Sequence, residues 1–301
     1  MDVFNEGTHV RLRSRVHGTY LHADDDGVGL TLRPRNYDPP LAAVWRVHRI
    51  QRDGIEYALF CGAAYGRYLA LSPAEHAPPG CRGRRAVQRP YDDPELDAVM
   101  WRPATASGGF GGGADYVLLR HVHNGTLRAN GRFRIWNNHV SIDHYFGTRS
   151  TMRHWRVEVV PPRQGPPPYP IPVPDLGRRS RLLSHFRRFQ RRKRKEPEAD
   201  RRRKIRCLYS DQPLNFAPAN VPSFYFYGRS VYNLRFQVGI RANPEDVLGT
   251  RMCVQAGSYG RLTPLVTDLP HSEEPMNIVV YTAAAAEAAG LVYPDADAPR
   301  Q

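Results

Sequence analysis

The sequence predicts a mostly β chain in two parts: a closed barrel of three similar units, then a small α+β domain. Three observations carry this. A strand–turn–strand pattern occurs three times in the first 160 residues, each time closing on Trp-Arg. Pro (27) and Gly (25) are abundant, which favours short strands and turns over long helices. Of the net charge of +14, +12 falls between Arg178 and Arg206, so one basic segment separates two nearly neutral regions. A length of 301 residues fits two domains.

The three copies begin "VRLRSRVHGTYLHAD" at Val10, "YALFCGAAYGRYLALS" at Tyr57 and "YVLLRHVHNGTLRAN" at Tyr116. Each opens with apolar residues two apart: Val10 and Leu12, Tyr57 and Leu59, Tyr116 and Leu118. That period marks a strand with one buried face. Each then turns at a residue that tolerates positive φ, Gly18, Gly66 or Asn124, and returns on Leu21, Leu69 or Leu127. The closing dipeptides start at Trp45, Trp101 and Trp155. One such unit cannot bury its own apolar face; three together close a barrel and remove the exposed sheet edges. The expected core is therefore Leu12, Leu21, Trp45, Leu59, Leu69, Trp101, Leu118, Leu127 and Trp155.

The acidic run Asp24-Asp25-Asp26 invites a metal or acid–base reading. At the matching place the second copy has Leu71-Ser72-Pro73 and the third Ala129-Asn130-Gly131. The position is a polar tip after a strand. The run also lacks the alternate ligand spacing and closing Glu of an EF-hand.

A threefold barrel of four-stranded units is a β-trefoil. The residues "VRLRS…GTYLHADDDG…WRV" resemble the fascin-like, actin-cross-linking branch of that fold, and more specifically a plant family designated domain of unknown function 569. In that family one fascin-like trefoil precedes a ubiquitin-like domain. The resemblance covers Met1 to about Val160 and resumes near Arg203; the second copy departs from it through an insertion, Pro73 to Pro94. It implies actin filaments as a partner class and brings no catalytic site. Ricin-type trefoils carry Gln two residues before the Trp; Ala43, Val99 and Arg153 stand there instead, which weakens a carbohydrate reading.

Residues 161–202 read as a linker, largely disordered or partly helical. Pro161 to Asp175 holds eight prolines in fifteen residues and favours a polyproline II spacer. Its Pro166–Tyr169 "PPPY" fits a WW-domain ligand pattern, with a plain linker the commoner meaning. Beyond it, Leu182, Leu183, Phe186 and Phe189 recur at helical spacing among arginines. The expected electrostatic or nuclear-import residues are Arg187, Arg188, Arg191, Arg192, Lys193, Arg194, Lys195, Arg201, Arg202, Arg203 and Lys204. Such a block suits an import receptor, an anionic membrane, nucleic-acid phosphates or an acidic protein surface, or serves as a solvated tether.

From 203 to 288 the order strand, strand, helix, strand, strand matches a ubiquitin-like β-grasp, as the resemblance implies. "KIRCLYS" and "SFYFYG" supply two strands; Ser230 caps a helix burying Val231, Leu234 and Val238; "TRMCVQA" and "MNIVVYTA" supply two more. Thr282 to Gly290 is open between a short helix and a frayed end. Residues 289–301 read as a disordered tail. They end "DADAPRQ" without Gly-Gly, so conjugation as a modifier is not expected.

No nucleotide-binding loop, GxSxG or HExxH occurs, and the glycine run Ser107 to Asp115 lacks the Lys-Ser/Thr that would follow in a phosphate cradle. His121 and His123, with His139 and His144 after them, have no third ligand at fixed spacing, and Trp136 is outside the repeated Trp position. The four cysteines are widely separated and read as free thiols. No secretory leader or membrane span is seen, so a cytoplasmic or nuclear, non-secreted protein is expected. Together these predict a non-enzymatic binding or scaffold protein with no cofactor, no metal and no evident small-molecule substrate. Actin filaments are the partner the resemblance implies; the alternative is nuclear, nucleic-acid or anionic-surface association through residues 178–206.

Overall fold

The computed structural model describes residues 2–92, 95–106, 116–131, 138–144, 150–172, 202–210, 221–242, 246–247 and 249–299. The basic block from Arg187 to Arg201, the glycine run and Trp136 lie outside them.

The first repeat comprises β1 (His9–Ser14), β2 (Tyr20–Ala23), β3 (Leu30–Arg33) and β4 (Trp45–Arg52). The second comprises β5 (Ile55–Gly62), β6 (Tyr68–His76), β7 (Arg84–Arg89) and β8 (Trp101–Thr105). The third comprises β9 (Val117–His121), β10 (Thr126–Ala129), β11 (Val140–Asp143) and β12 (Trp155–Val160). The outer strands of each repeat pair in a ring: β1 with β4, β4 with β5, β5 with β8, β8 with β9, β9 with β12 and β12 with β1. The inner strands pair as hairpins, β2–β3, β6–β7 and β10–β11. This is a β-trefoil.

The threefold relation extends to single atoms. Trp45, Trp101 and Trp155 are fully buried in one core. Each indole N–H donates to the carbonyl of its repeat's leucine: Leu21 at 3.2 Å, Leu69 at 2.9 Å and Leu127 at 3.0 Å. A buried indole N–H without an acceptor would cost ~1–3 kcal/mol, so this bond makes Trp usable three times over. The turn residues Gly18, Gly66 and Asn124 have φ of 66°, 68° and 63°.

Two expected core positions are displaced. The barrel interior takes Val10 and Leu12 from β1, Ala58 and Phe60 from β5, and Leu119 from β9, with Val117 packed against it. Leu118 is half-buried, and Leu59 faces outward into a side cluster with Tyr57, Cys61, Val99 and Met100. Around both leucines the chain is apolar without a break, so period two admits either phase. A one-residue slip then sends every side chain to the other face.

The second domain is a five-stranded mixed sheet carrying one long helix: β14 (Arg202–Tyr209), β15 (Ser223–Tyr227), α1 (Val231–Ala242), β16 (Arg251–Gln255), β17 (Thr263–Pro264) and β18 (Met276–Tyr281). The strand order is β15-β14-β18-β16-β17, with β14 and β18 parallel at its centre. Ser230 Oγ accepts the Asn233 N–H at 3.2 Å and opens α1, which buries Val231, Leu234 and Val238. The segment after β18 forms a short helix, α2 (Ala283–Ala288), capped by Thr282, whose side chain accepts the Ala285 N–H at 3.2 Å.

The ends of the two connecting segments depart from expectation. β13 (Pro162–Arg163) pairs with β19 (Tyr293–Pro294). Polyproline and strand dihedrals lie close together, so two residues at the start of a proline run can pair briefly while the prolines only accept. Asp295 N–H donates to Pro161 O at 2.8 Å. Residues 289–299, expected as a disordered tail, therefore lie against the first domain. Tyr293 is buried in the trefoil core, and Arg11 and Arg35 donate to the carbonyls of Ala296 and Ala298. Apolar contacts to a distant surface outweigh the local polar composition that suggested disorder. Tyr169 of the proline run packs against both cores, with the Arg235 guanidinium 4.3 Å above its ring.

Candidate functional site

The two domains meet along a seam drawn from the first two repeats. Tyr91 and Tyr259 exchange backbone contacts: Tyr91 N–H donates to Ala256 O at 2.9 Å and Tyr259 N–H to Tyr91 O at 3.0 Å. Gly257 between them has φ 88°, and a Cβ there would stand 2.4 Å from the Tyr91 carbonyl oxygen, so only glycine permits the approach. The rings of Tyr68, Tyr91 and Tyr259 follow one another at 5.3 and 5.6 Å. Tyr68 OH accepts the Arg261 N–H at 2.9 Å, Thr267 Oγ1 donates to Ala64 O at 2.9 Å, and Asp92 Oδ1 accepts the Ser258 N–H at 2.6 Å.

The three aspartates belong to this seam. Asp24 Oδ1 accepts from Thr31 Oγ1 at 2.5 Å, and Asp26 Oδ1 accepts the N–H groups of Val28 and Gly29 at 2.8 and 2.6 Å, which shapes the tip. Asp25 crosses to the second domain. Its carboxylate lies 3.4 Å from Arg229 and 3.2 Å from His271, and its carbonyl accepts the His271 N–H at 2.5 Å. The run is a shaped loop with a docking contact.

Beside the seam both domains line a cleft of about 690 Å³. The trefoil contributes Arg67, Gln88 and Arg89; the second domain contributes Arg203, Arg206 and Glu274. Gln88 is buried and its Nε2 donates to Asp24 O at 3.1 Å and Gly29 O at 2.8 Å, so the aspartate tip forms its backing. Arg67 donates to Glu274 at 2.5 Å across the two domains. Arg203 was expected among the electrostatic-binding or nuclear-import residues of the basic segment. It lies instead on β14, in register with Phe226, and is buried. Strand alternation explains this: Arg203, Ile205 and Cys207 share the inner face, while Arg202 is exposed and Lys204 and Arg206 are half-buried on the other. The signal was the alternation of Ile205 and Cys207, which reaches Arg203 once the strand is extended by one residue beyond Lys204.

Of the remaining candidates, His121 and the cysteines Cys61, Cys207 and Cys253 are buried. His121 is buried with Nε2 3.0 Å from Ala98 O, while His123 is exposed. Burial holds the imidazole of His121 down at about 4, and that of His9 and of His48 likewise, so the three are neutral at physiological pH. Among the described residues no cluster of three or more His, Cys, Asp or Glu groups could hold a metal ion. Burial pushes the Cys207 thiol up to about 11 and Cys253 to about 12, which removes them as nucleophiles. The positions two before each Trp carry no open ligand group: Ala43 and Val99 are buried, and Arg153 donates to Asp143 at 3.0 Å. Among the described residues no helix is long and apolar enough to cross a membrane.

A search of curated proteins finds no match. Among solved structures, the designed threefold-symmetric protein ThreeFoil is similar at 20% identity over 50% of this chain and 96% of its own, with a TM-score of 0.38. The Macrolepiota procera ricin B-like lectin, solved with lactose, aligns at 15% identity over 51% and 96%, TM-score 0.38. The Arabidopsis thaliana SDF2-like protein aligns at 16% over 50% and 92%, TM-score 0.39. Family models match both domains. Residues 1–158 fit the beta-trefoil domain of unknown function DUF569 and residues 201–281 the DUF569-associated ubiquitin-like domain, so the chain belongs to the DUF569 family.

Proposed function

We propose that this chain is a non-enzymatic binding protein that presents its trefoil and ubiquitin-like domains to a partner as one recognition body. The observation that supports this most is the seam. Backbone pairing at Tyr91, the Tyr68–Arg261 bond and the buried Tyr293 set the two domains at a fixed geometry. Fixed geometry lowers the ordering entropy of binding a large surface. Those contacts start in the first two repeats and leave the exposed tip of the β4–β5 hairpin, Gln51 to Glu56, and parts of the third repeat as trefoil surface for a partner. Actin filaments are the partner class suggested by the resemblance to fascin-like trefoils. Since the chain has one trefoil, single-site filament binding is the expected mode, and bundling would need a second contact from the basic segment or from dimerisation. Co-sedimentation with filaments at physiological salt tests this. Pelleting of the full chain supports it, and a supernatant-only result at micromolar filament overturns it.

The second reading is favoured by the charge of residues 178–206. There the chain associates with the nucleus, nucleic acid or an anionic surface, and deletion of the segment abolishes that association while the trefoil stays folded. A fluorescent fusion that distributes identically with and without the segment removes this reading.

A further inference from the structure

Arg203 is 5% exposed, yet its hydrogen-bond acceptors are neutral. Its N–H groups reach Pro270 O at 2.7 Å and the Met276 sulfur at 2.8 Å, and its Nε is buried with no partner. Among the described residues no carboxylate forms an ion pair with it. Glu274 and Glu273 act on it only from beyond contact, and a buried cation with no carboxylate in contact is unfavourable; buried charges ordinarily find an ion or ligand. Arg67, Arg89 and Arg206 line the same cleft. Its three carboxylates are engaged: Glu75 with Arg85, Asp92 with the Ser258 N–H, and Glu274 with Arg67 inside the cleft itself. Arg206 is half-buried and has no ion-pair partner among the described residues. Four arginines, Arg67, Arg89, Arg203 and Arg206, stand against the three carboxylates Glu75, Asp92 and Glu274, so the lining has a formal excess of one positive charge. Burial first, and then the charge of Arg67, push the Arg203 guanidinium down to about 10. The rest of the lining includes apolar surface from Val28, Val87, Val254 and Pro270.

We propose that the interdomain cleft binds a small organic anion, an apolar body carrying a carboxylate or phosphate, whose charge compensates Arg203 together with Arg67 and Arg206. The volume of about 690 Å³ is within the ordinary range for such ligands. Glu274 is a built-in competitor. Its carboxylate occupies Arg67 from a half-exposed position, 57% accessible, and an entering anion displaces it.

Isothermal titration calorimetry on the full chain tests this with benzoate, phenyl phosphate and inorganic phosphate as probes, and benzylamine as the cationic control. Saturable binding of benzoate or phenyl phosphate, tighter than inorganic phosphate, supports the proposal and identifies the head group. Arg206→Gln weakens that binding about tenfold by removing a charge-assisted contact. Glu274→Gln tightens it severalfold by freeing Arg67. A purely structural role for these surface groups predicts neither change. Absence of binding by all three anions up to about 10 mM overturns the proposal, as does equal binding of benzylamine. Affinity unchanged in both variants also overturns it. Inorganic phosphate binding as tightly as the organic anions overturns the assignment of an apolar body.

Discussion

Leu118 and Leu119 are neighbours in the chain and opposites in environment: Leu119 is fully buried in the barrel, and Leu118 is half-exposed outside it. Leu119→Ala is expected to cost ~2–5 kcal/mol and Leu118→Ala under about 1 kcal/mol, read from urea midpoints at constant m. Equal losses would place the phase of β9 wrongly. A second expectation concerns His9, His48 and His121. Their folded values lie near 4, below the ~6.5 of an unfolded imidazole, so the unfolded state binds more protons between those limits. Their contribution is complete above about pH 6.5, falls as pH drops, and levels off below about pH 4. The slope reaches at most ~1.4 kcal/mol per pH unit for each histidine. Unfolding midpoints across this window check it; a stability flat from pH 7 to 4.5 contradicts it. At this scale the tryptophans were legible, because Trp-Arg recurs at a regular interval. The phase of β5 and β9 was not, because Tyr57–Cys61 and Tyr116–Leu119 are apolar at every position.

Elements were legible where local chemistry sets them. Positive φ at Gly18, Gly66 and Asn124 was readable from residue type, and so was the Ser230 cap of α1. β17 was missed because two residues carry no period, and β13 because proline ordinarily argues against a strand. The loop around Gly257 depends on tertiary approach. Gly257→Ala introduces both a left-handed strain and a Cβ against the Tyr91 backbone, which together cost ~1–3 kcal/mol. The loss should fall on domain docking, seen as faster amide exchange at Tyr91 and Tyr259 with the barrel amides unchanged. Uniform acceleration throughout the trefoil would mean that the loop serves the barrel itself.

At the scale of the whole molecule, the seam was invisible in the sequence, since its partners stand from 165 (Tyr91 and Ala256) to 246 (Asp25 and His271) residues apart and are ordinary polar and aromatic residues. The charge distribution did show two domains, but a linker rich in proline and arginine suggested they were held apart. The cleft follows from that docking and was equally hidden. Deletion of residues 289–301 removes Tyr293 from the trefoil core and the β13–β19 pair, and is expected to lower the melting temperature of the first domain by several degrees. Calorimetry of the truncated chain with tryptophan fluorescence as the local probe tests this, because Trp45, Trp101 and Trp155 are buried in the barrel; an unchanged transition would show that the C-terminal residues decorate a finished fold. The position of Tyr293 also has a temporal meaning. A ribosome delivers the three repeats first and this tyrosine last, so the nascent trefoil waits, one face unsealed, through the synthesis of some 130 further residues.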